Sequence, residues 1–206
     1  MSQPLSDRIK SLPVSQTLAM AAKGRELREQ GKDIISLSLG EPDFNTPDFI
    51  KEAAIQAIND NYNSYSPVNG YADLREAICR KFKRDNNLDY NINQVVVSTG
   101  AKQSIANVAM VLLNPGDEVL LPAPYWVSYS AISILAEAKY VEIPSSIETD
   151  FKITPEQLEA AITPKTKMIF FNSPNNPSGT VYSEEEYRAL AAVLEKHPQI
   201  YILSDE

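Results

Sequence analysis

The chain has 206 residues, of which 43% are hydrophobic and 22% charged, which is enough apolar material for at least one packed core. Its 19 Lys and Arg against 27 Asp and Glu give a net charge of -8, so no broad basic field would attract nucleic acid or an anionic membrane. Residues 1–10 lack the features of a signal peptide, and no apolar run approaches the ~18 residues that cross a bilayer, so we expect a cytoplasmic protein. The single cysteine, Cys79, excludes an internal disulfide framework and is predicted to be buried.

The first part of the chain is predicted to contain helices and one short strand. Leucines and alanines at helical spacing predict a helix over 15–30, and alternating apolar and serine residues predict a strand over 34–39. Thr46 is the predicted N-cap of the next helix, with Pro47 at its first position. The buried stripe of that helix is predicted to be Ile50, Ala53, Ala54, Ala57 and Ile58.

Beyond Tyr90, short apolar runs alternate with helical patterns. The runs, each predicted to be a strand, are 95–97, 119–121, 140–143, 168–171 and 200–203. The predicted helices between them are 101–113, 127–136, 155–162 and 184–196, and the last two begin with capping boxes. Strands that are apolar throughout and separated by helices are typical of a mainly parallel sheet with helices on both faces, so the predicted fold class is α/β.

Ligands of such folds bind at the carboxyl ends of strands, and the residues there are unusual in this chain. After the run 95–97, Gly100 leads directly into a helix whose first amides suit a phosphate, although a simple tight turn explains the same residues equally well. After 119–121, the only tryptophan, Trp126, offers a face for a flat ring; an isolated aromatic is more often part of a core.

The two later strand ends carry polar groups. Residues 172–179 contain three asparagines, two of them between Pro174 and Pro177, and end in Gly179. This segment is more rigid than a simple connection requires and therefore favours a hydrogen bond to a ligand. Asp205 follows the last apolar run, where a carboxylate is costly unless a cation meets it.

Together these segments resemble the aspartate aminotransferase family, the class I aminotransferases of pyridoxal-phosphate fold type I. The resemblance covers nearly the whole chain, and its most specific part is the stretch Asn-Ser-Pro-Asn-Asn-Pro-Ser-Gly at 172–179. Further matching stretches lie at 38–44, 74–77, 99–103, 115–119, 124–126 and 204–206. The resemblance implies an α/β large domain that binds pyridoxal 5'-phosphate, with an incomplete second domain.

The resemblance also implies roles for the residues that would hold the cofactor's phosphate. The backbone amides of Gly100, Ala101 and Lys102 would bind it directly. Tyr65 would reach the phosphate held by the neighbouring subunit, so the parent protein is expected to be a homodimer.

Other roles implied by the resemblance concern the pyridine ring and the substrate. Trp126 would stack on the ring, and Asn176 would hydrogen-bond its phenolic oxygen. Asp205 would pair with the pyridine nitrogen and keep the ring protonated. Gly40, together with Trp126 and Asn176, would border the α-carboxylate of the substrate.

The family's Schiff-base lysine is expected beyond Glu206, and its carboxylate-binding arginine further still. Lys102 is no substitute, because it belongs to the phosphate turn. We therefore expect no catalytic residue in this chain, which would be an inactive N-terminal fragment. Residues 1–45 are expected to form an N-terminal arm and part of a small domain, and residues 46–206 the N-terminal part of the large cofactor-binding domain.

The leading hypothesis is that the full-length parent transfers an amino group between aspartate, or a similar amino acid, and 2-oxoglutarate. An aromatic or alanine aminotransferase, or a carbon-sulfur lyase, would share the fold and the cofactor and stays open. A non-catalytic ligand-binding module of a transcriptional regulator is disfavoured, because residues 1–30 carry no basic DNA-binding segment.

Overall fold

The computed structural model of the protein describes residues 4–37 and 40–206. The chain divides into two compact units, one made of residues 14–98 and the other of the residues up to 13 together with 99–206. The helices, in chain order, are α1 (Asp7–Lys10), α2 (Gln16–Glu29), α3 (Asp48–Asn59), α4 (Ala72–Asn86), α5 (Ala101–Leu112), α6 (Ser128–Leu135), α7 (Pro155–Ala161) and α8 (Glu184–Leu194). No helix of the described part is long and apolar enough to span a membrane.

A parallel sheet forms the centre of the unit that contains residues 99–206. Its strands are β1 (Glu118–Pro122), β2 (Lys139–Ile143), β3 (Thr166–Asn172) and β4 (Tyr201–Asp205). They lie in the order β2-β1-β3-β4, and every neighbouring pair is parallel. Each strand falls on an apolar run that predicted it, with ends that differ by one or two residues.

Helices cover both faces of this sheet. On one face, buried residues of α5 and α6 form a core with Val119, Leu121 and Phe170. On the other face, residues of α7 and α8 form a second core with Leu120 and Ile169. Successive side chains of a strand point to opposite faces, which explains why β1 and β3 are apolar at every central position. The predicted α/β class is confirmed.

The predicted strand over 34–39 is not observed in the part of it that the structure describes. Residues 34–37 are irregular, and residues 38–39 lie outside the described part of the chain. Ile35 and Leu37 are 86% and 93% exposed, and the Ile34 carbonyl accepts a hydrogen bond from Arg28 at 3.4 Å rather than from a strand. A strand needs a neighbour for its backbone hydrogen bonds, and alternation within a segment does not show whether one exists.

The predicted strand over 95–97 joins no sheet within the described residues. Val95 is extended, with φ −113° and ψ 127°, and the Val97 amide donates to the Asn69 carbonyl at 3.2 Å. The apolar run therefore forms an extended segment that packs on the loop before α4. Burial of Val95 satisfies its apolar character without a ladder of hydrogen bonds.

The start and the buried face of α3 also differ from the prediction. The helix begins at Asp48, and Pro47, with φ −52° and ψ 142°, is its N-cap without a side-chain hydrogen bond, so Thr46 does not cap it. The helix has no buried residue among those described, and Ile50 and Ile58 are 46% and 75% exposed. The apolar residues thus recur at helical spacing as predicted, but they are not buried against the described chain. Cys79, predicted to be buried, is half-buried.

Candidate active site

The carboxyl ends of β1 and β3 lie side by side at the point where the sheet changes its direction of winding. From β1 the chain proceeds to β2 on one side, whereas β3 and β4 follow on the other side of β1. In open α/β sheets a crevice for ligands forms at this position. The segments 123–127 and 173–182, which follow β1 and β3, therefore border the position where a ligand would bind.

Trp126 lies just before α6 and is half-buried. Its ring and the Tyr129 ring are perpendicular, with centroids 5.6 Å apart and planes at 90°. The Lys102 Nζ lies 4.7 Å from the centroid of the Trp126 ring, a distance at which a cation is attracted to the face of an indole. The start of α5 is thereby brought next to the segment that follows β1.

Tyr129, which contacts the Trp126 ring, also contacts the end of β4. Its side chain is 1% exposed and packs edge-on against Phe170, with centroids 5.3 Å apart. Its hydroxyl donates to Asp205 Oδ2 at 2.5 Å. Burial, followed by this hydrogen bond, raises the pKa of Tyr129 well above its usual value, so the phenol stays protonated and acts as a donor.

Asn172, the last residue of β3, and Asn175, which follows it, connect the ends of three strands by hydrogen bonds. Asn172 donates from Nδ2 to the Asp205 carbonyl at 2.7 Å and accepts at Oδ1 from the Asn176 amide at 2.6 Å. Asn175 donates to the Pro124 carbonyl at 3.2 Å and accepts from the Ser178 amide at 3.1 Å. The side-chain amide of Asn176 is exposed and makes no hydrogen bond with any described residue, so it is available to a ligand.

The turn into α5 offers free backbone donors. Gly100 is the N-cap, with φ +86°, and no side chain caps the helix. The amides of Ala101 and Lys102 have no acceptor within the helix, as is usual for a first turn, while the Gln103 side chain accepts from the Thr99 amide at 2.5 Å. Gly100 and Ala101 are exposed, and nothing lies within 4 Å of the position that a Gly100 Cβ would occupy. These features suit an anion at the helix N-terminus.

Lys102, Trp126, Asn176 and Asp205 therefore belong to one connected arrangement, with Gly100 and Ala101 directly preceding Lys102. Two residues that connect them, Tyr129 and Asn172, were missing from the roles drawn from the sequence. Tyr129 lies three residues after Trp126, a spacing that places two side chains on one face of a helical turn. Asn172 gave no such signal, because its contact depends on the pairing of Asn172 with Asp205 in the register of β3 and β4.

Gly40 and Tyr65 lie in the unit formed by residues 14–98. Both residues are exposed. Their predicted roles, at the substrate's carboxylate and at a neighbouring subunit's phosphate, stay predictions.

The residues at this edge fit a flat, phosphorylated, nitrogen-containing ring. Trp126 offers an aromatic face, Asn176 an unpaired amide, and Asp205 a carboxylate with one oxygen, Oδ1, that no described residue hydrogen-bonds. The uncapped start of α5 offers donors for a phosphate. No group of three or more His, Cys, Asp or Glu in the described residues is placed to hold a metal ion.

Residues 32–206 match the family of aminotransferases of class I and II, and the chain belongs to that family, as the sequence resemblance indicated. The aspartate/prephenate aminotransferase of Nitrosomonas europaea is 52% identical over 202 residues, which cover 98% of this chain and 51% of that protein. The crystal structure of the Rhizobium meliloti aspartate aminotransferase superposes with a TM-score of 0.94 at 45% identity, over 98% of this chain and 50% of that one. The Thermus thermophilus aspartate aminotransferase with maleate gives a TM-score of 0.94 at 43% identity, over 99% of this chain and 53% of that one. The chain thus spans about half the length of the curated relatives it matches.

Proposed function

We propose that the whole protein is a pyridoxal-phosphate-dependent aminotransferase that transfers an amino group between aspartate, or a similar amino acid, and 2-oxoglutarate. The observation that carries the proposal is the convergence of Trp126, Asn176 and Asp205 at the carboxyl ends of three neighbouring strands. The choice of aspartate is supported by the names of the relatives, and that of a dicarboxylate by the maleate named with the Thermus thermophilus enzyme.

Pyridoxal phosphate, when bound, supplies an electron-withdrawing ring that stabilises negative charge on the substrate's α-carbon. The Asp205 carboxylate would hold a proton on the ring nitrogen, because an adjacent negative charge favours the protonated form. Trp126 would stack on the ring, and the Asn176 amide would donate to its phenolic oxygen. The amides of Gly100, Ala101 and Lys102 would bind the phosphate.

The chain is not expected to catalyse the reaction without further residues. The family's Schiff-base lysine and carboxylate-binding arginine match no residue of this sequence. We do not assign that role to Lys102, because it belongs to the turn at the start of α5 that would bind the phosphate. Those two groups are needed as nucleophile, proton carrier and substrate anchor, so the chain by itself should bind the cofactor weakly and leave substrates unchanged.

The remaining roles concern assembly. We propose a cytoplasmic homodimer in which Tyr65, whose side chain is fully exposed, reaches the phosphate of the partner's cofactor. Gly40 would border the substrate's α-carboxylate together with Trp126 and Asn176. Residues 1–45 would belong to an arm and a small domain, and residues 46–206 to the large domain.

Titration of the 206-residue chain with pyridoxal phosphate tests the cofactor site. We expect weak binding without a stable lysine adduct in the visible spectrum, and loss of that binding in Asp205→Ala and Asn176→Ala. Asp89→Ala, which removes an exposed carboxylate that pairs with Lys83, serves as the control and should bind like the unsubstituted 206-residue chain. Equal binding by all variants, or no binding by the unsubstituted 206-residue chain, would contradict the proposed site.

Donor screening of the full-length protein tests the reaction. Aspartate should be the best donor with 2-oxoglutarate, and prephenate should be included as a second acceptor because of the relatives' names. Activity with an aromatic amino acid or alanine, and none with aspartate, would instead favour one of the related aminotransferases. Release of a thiol or sulfide from a sulfur amino acid would indicate a lyase, and cofactor binding without any turnover would favour a ligand-binding module.

A further inference from the structure

Tyr129 contacts three residues that come from three different parts of the chain. Its ring lies 5.6 Å from Trp126 and 5.3 Å from Phe170 of β3, measured between ring centroids, and its hydroxyl lies 2.5 Å from Asp205 Oδ2. The side chain is 1% exposed, and it belongs to the first turn of α6. Because its ring and its hydroxyl are both engaged, Tyr129 has little freedom to move relative to either Trp126 or Asp205.

Asp205 depends on few other contacts. Its carbonyl accepts from Asn172 Nδ2 at 2.7 Å, which fixes the backbone at the end of β4 but leaves the carboxylate to rotate. Within the described chain, the Tyr129 hydroxyl is the one hydrogen-bond donor to that carboxylate, and Oδ1 receives none. The tyrosine therefore sets the plane of the carboxylate and leaves one oxygen for a ligand.

We propose that Tyr129 is a positioning residue for the cofactor ring, which fixes the Asp205 carboxylate and the Trp126 ring in one geometry. A hydroxyl that donates to an ionised carboxylate stabilises its charge. One cofactor ring can stack on Trp126 and pair with Asp205 at the same time only when both side chains are held in matching positions. The inference rests on the proposed function, because it assumes that Asp205 pairs with a protonated ring nitrogen and that Trp126 stacks on the ring.

Tyr125 provides a matched control in the same segment. Its hydroxyl donates to Glu142 Oε1, also at 2.5 Å, and Glu142 belongs to β2 rather than to the end of β4. Tyr125→Phe therefore removes the same chemical group from the same kind of contact without touching Asp205. Tyr129→Phe keeps the buried ring and removes only the hydroxyl.

The experiment is a double-mutant cycle in the full-length protein. The dissociation constant of pyridoxal phosphate is measured for the parent protein, Tyr129→Phe, Asp205→Ala and the double variant, with Tyr125→Phe as the control. We expect Tyr129→Phe to weaken binding by up to about tenfold, which is less than the full effect of losing a hydrogen bond to a charged group, because this bond is also present without the cofactor. In the Asp205→Ala background the same change should have no further effect, because the partner of the hydroxyl is gone.

A second measurement keeps the test independent of the Asp205 variant. The nitrogen resonance of bound ¹⁵N-labelled pyridoxal phosphate reports whether the ring is protonated. In Tyr129→Phe it should move toward the value of an unprotonated ring, because a less stabilised carboxylate takes a larger share of the proton. In Tyr125→Phe it should stay where it is in the parent protein.

An equal loss of affinity in both Asp205 backgrounds would indicate that the hydroxyl acts through packing alone and would overturn the inference. An unchanged affinity and an unchanged ¹⁵N resonance in Tyr129→Phe would overturn it as well, while leaving the proposed function intact. If the full-length parent protein binds no pyridoxal phosphate, the proposed function fails and the inference fails with it.

Discussion

Gly70 shows how one backbone position can depend on the absence of a side chain. Its φ is +91°, and a Cβ built there would lie 2.7 Å from Val97 Cγ2. The neighbouring Asn69 carbonyl accepts from the Val97 amide, so the two segments cannot easily separate. A methyl group at this position would meet both an unfavourable backbone conformation and a steric clash.

Gly70→Ala is therefore expected to lower the free energy of unfolding by at least about 1–2 kcal/mol. Gly24→Ala is the matched control, because Gly24 lies within α2 and nothing is found within 4 Å of its Cβ position. That change should raise the free energy by about 0.5–1 kcal/mol through helix propensity. Urea unfolding of both variants gives the comparison, and a loss of stability in Gly24→Ala or a gain in Gly70→Ala would contradict it.

At the same scale, Arg75 is a buried cation, and replacing it should lower the free energy of unfolding. It is 9% exposed and donates to the carbonyls of Gly70 at 3.1 Å and Ile92 at 2.9 Å. Arg75→Met keeps most of the side-chain volume but leaves both carbonyls without this donor, which should cost about 1–3 kcal/mol in the free energy of unfolding. Arg80→Met, on the same helix, removes only an exposed pair with Glu76 at 3.8 Å and should change stability by less than about 0.5 kcal/mol. Equal effects of the two changes, measured by urea unfolding, would argue against this role for Arg75.

The placement of residues at the strand ends was predictable from sequence where a motif carries it. Asn176 and Asp205 could be selected because their motif segments follow apolar strands. The contacts of Asn172 and Tyr129 could not, because each residue reaches Asp205 by a hydrogen bond between parts of the chain that are far apart in sequence. Thr46 shows the opposite error: a good capping residue was present, but the proline after it took the cap position instead.

Helices α7 and α8 illustrate elements whose beginnings are encoded within four residues. Both have capping boxes, formed by Thr154 with Gln157 and by Ser183 with Glu186, as predicted. The predicted strand over 34–39 does not form at residues 34–37, the part that the structure describes, because a strand requires a partner that no local pattern specifies. The helix ends were less accurate for a similar reason: α8 ends at Leu194 rather than 196, where the chain turns toward β4.

The capping box of α8 predicts a dependence of stability on pH. The Ser183 amide donates to Glu186 at 2.6 Å, and Lys152 lies 3.1 Å from the same oxygen. The Ser183 amide first, and then Lys152, lowers the pKa of Glu186 in the folded chain below its usual value. A carboxyl with a lowered folded pKa contributes stability above its unfolded pKa of about 4.3, and that contribution is lost as pH falls through the folded value.

Glu186→Gln should accordingly be less stable than the parent chain at pH 7, and the difference should shrink as the pH falls below about 4.3. Glu185→Gln, in the same turn, is the control, because the Glu185 carboxylate is exposed and makes no ion pair with a described residue. Urea midpoints between neutral and acid pH test this. A difference between parent and Glu186→Gln that stays constant over the whole pH range would contradict the assignment.

At the scale of the whole molecule, the two compact units differ in how much they bury. The sheet unit holds two hydrophobic cores, with Leu120, Val119 and Ile169 fully buried. In the unit of residues 14–98, α3 has no buried residue among those described, and Phe49 is 72% exposed. Local stability follows burial, so the units should not open with the same free energy.

Hydrogen exchange on the 206-residue chain should therefore separate α3 from α8, two helices of nearly equal length. The 12 residues of α3 should exchange quickly, whereas the 11 residues of α8, with Leu190 and Val193 buried, should be protected. The amides of β3, between two strands, should be the slowest. Protection of α3 equal to that of α8 would contradict this view and would indicate an unrecognised partner for its apolar stripe.

The position of Trp126 allows its own fluorescence to report ligand binding. The chain contains a single tryptophan, and it lies at the strand ends beside Tyr129 and under the Lys102 ammonium. All indole emission therefore originates at this one edge and none from the body of the sheet. A ligand that stacks there should quench the signal directly, so binding to this chain can be followed without any attached dye.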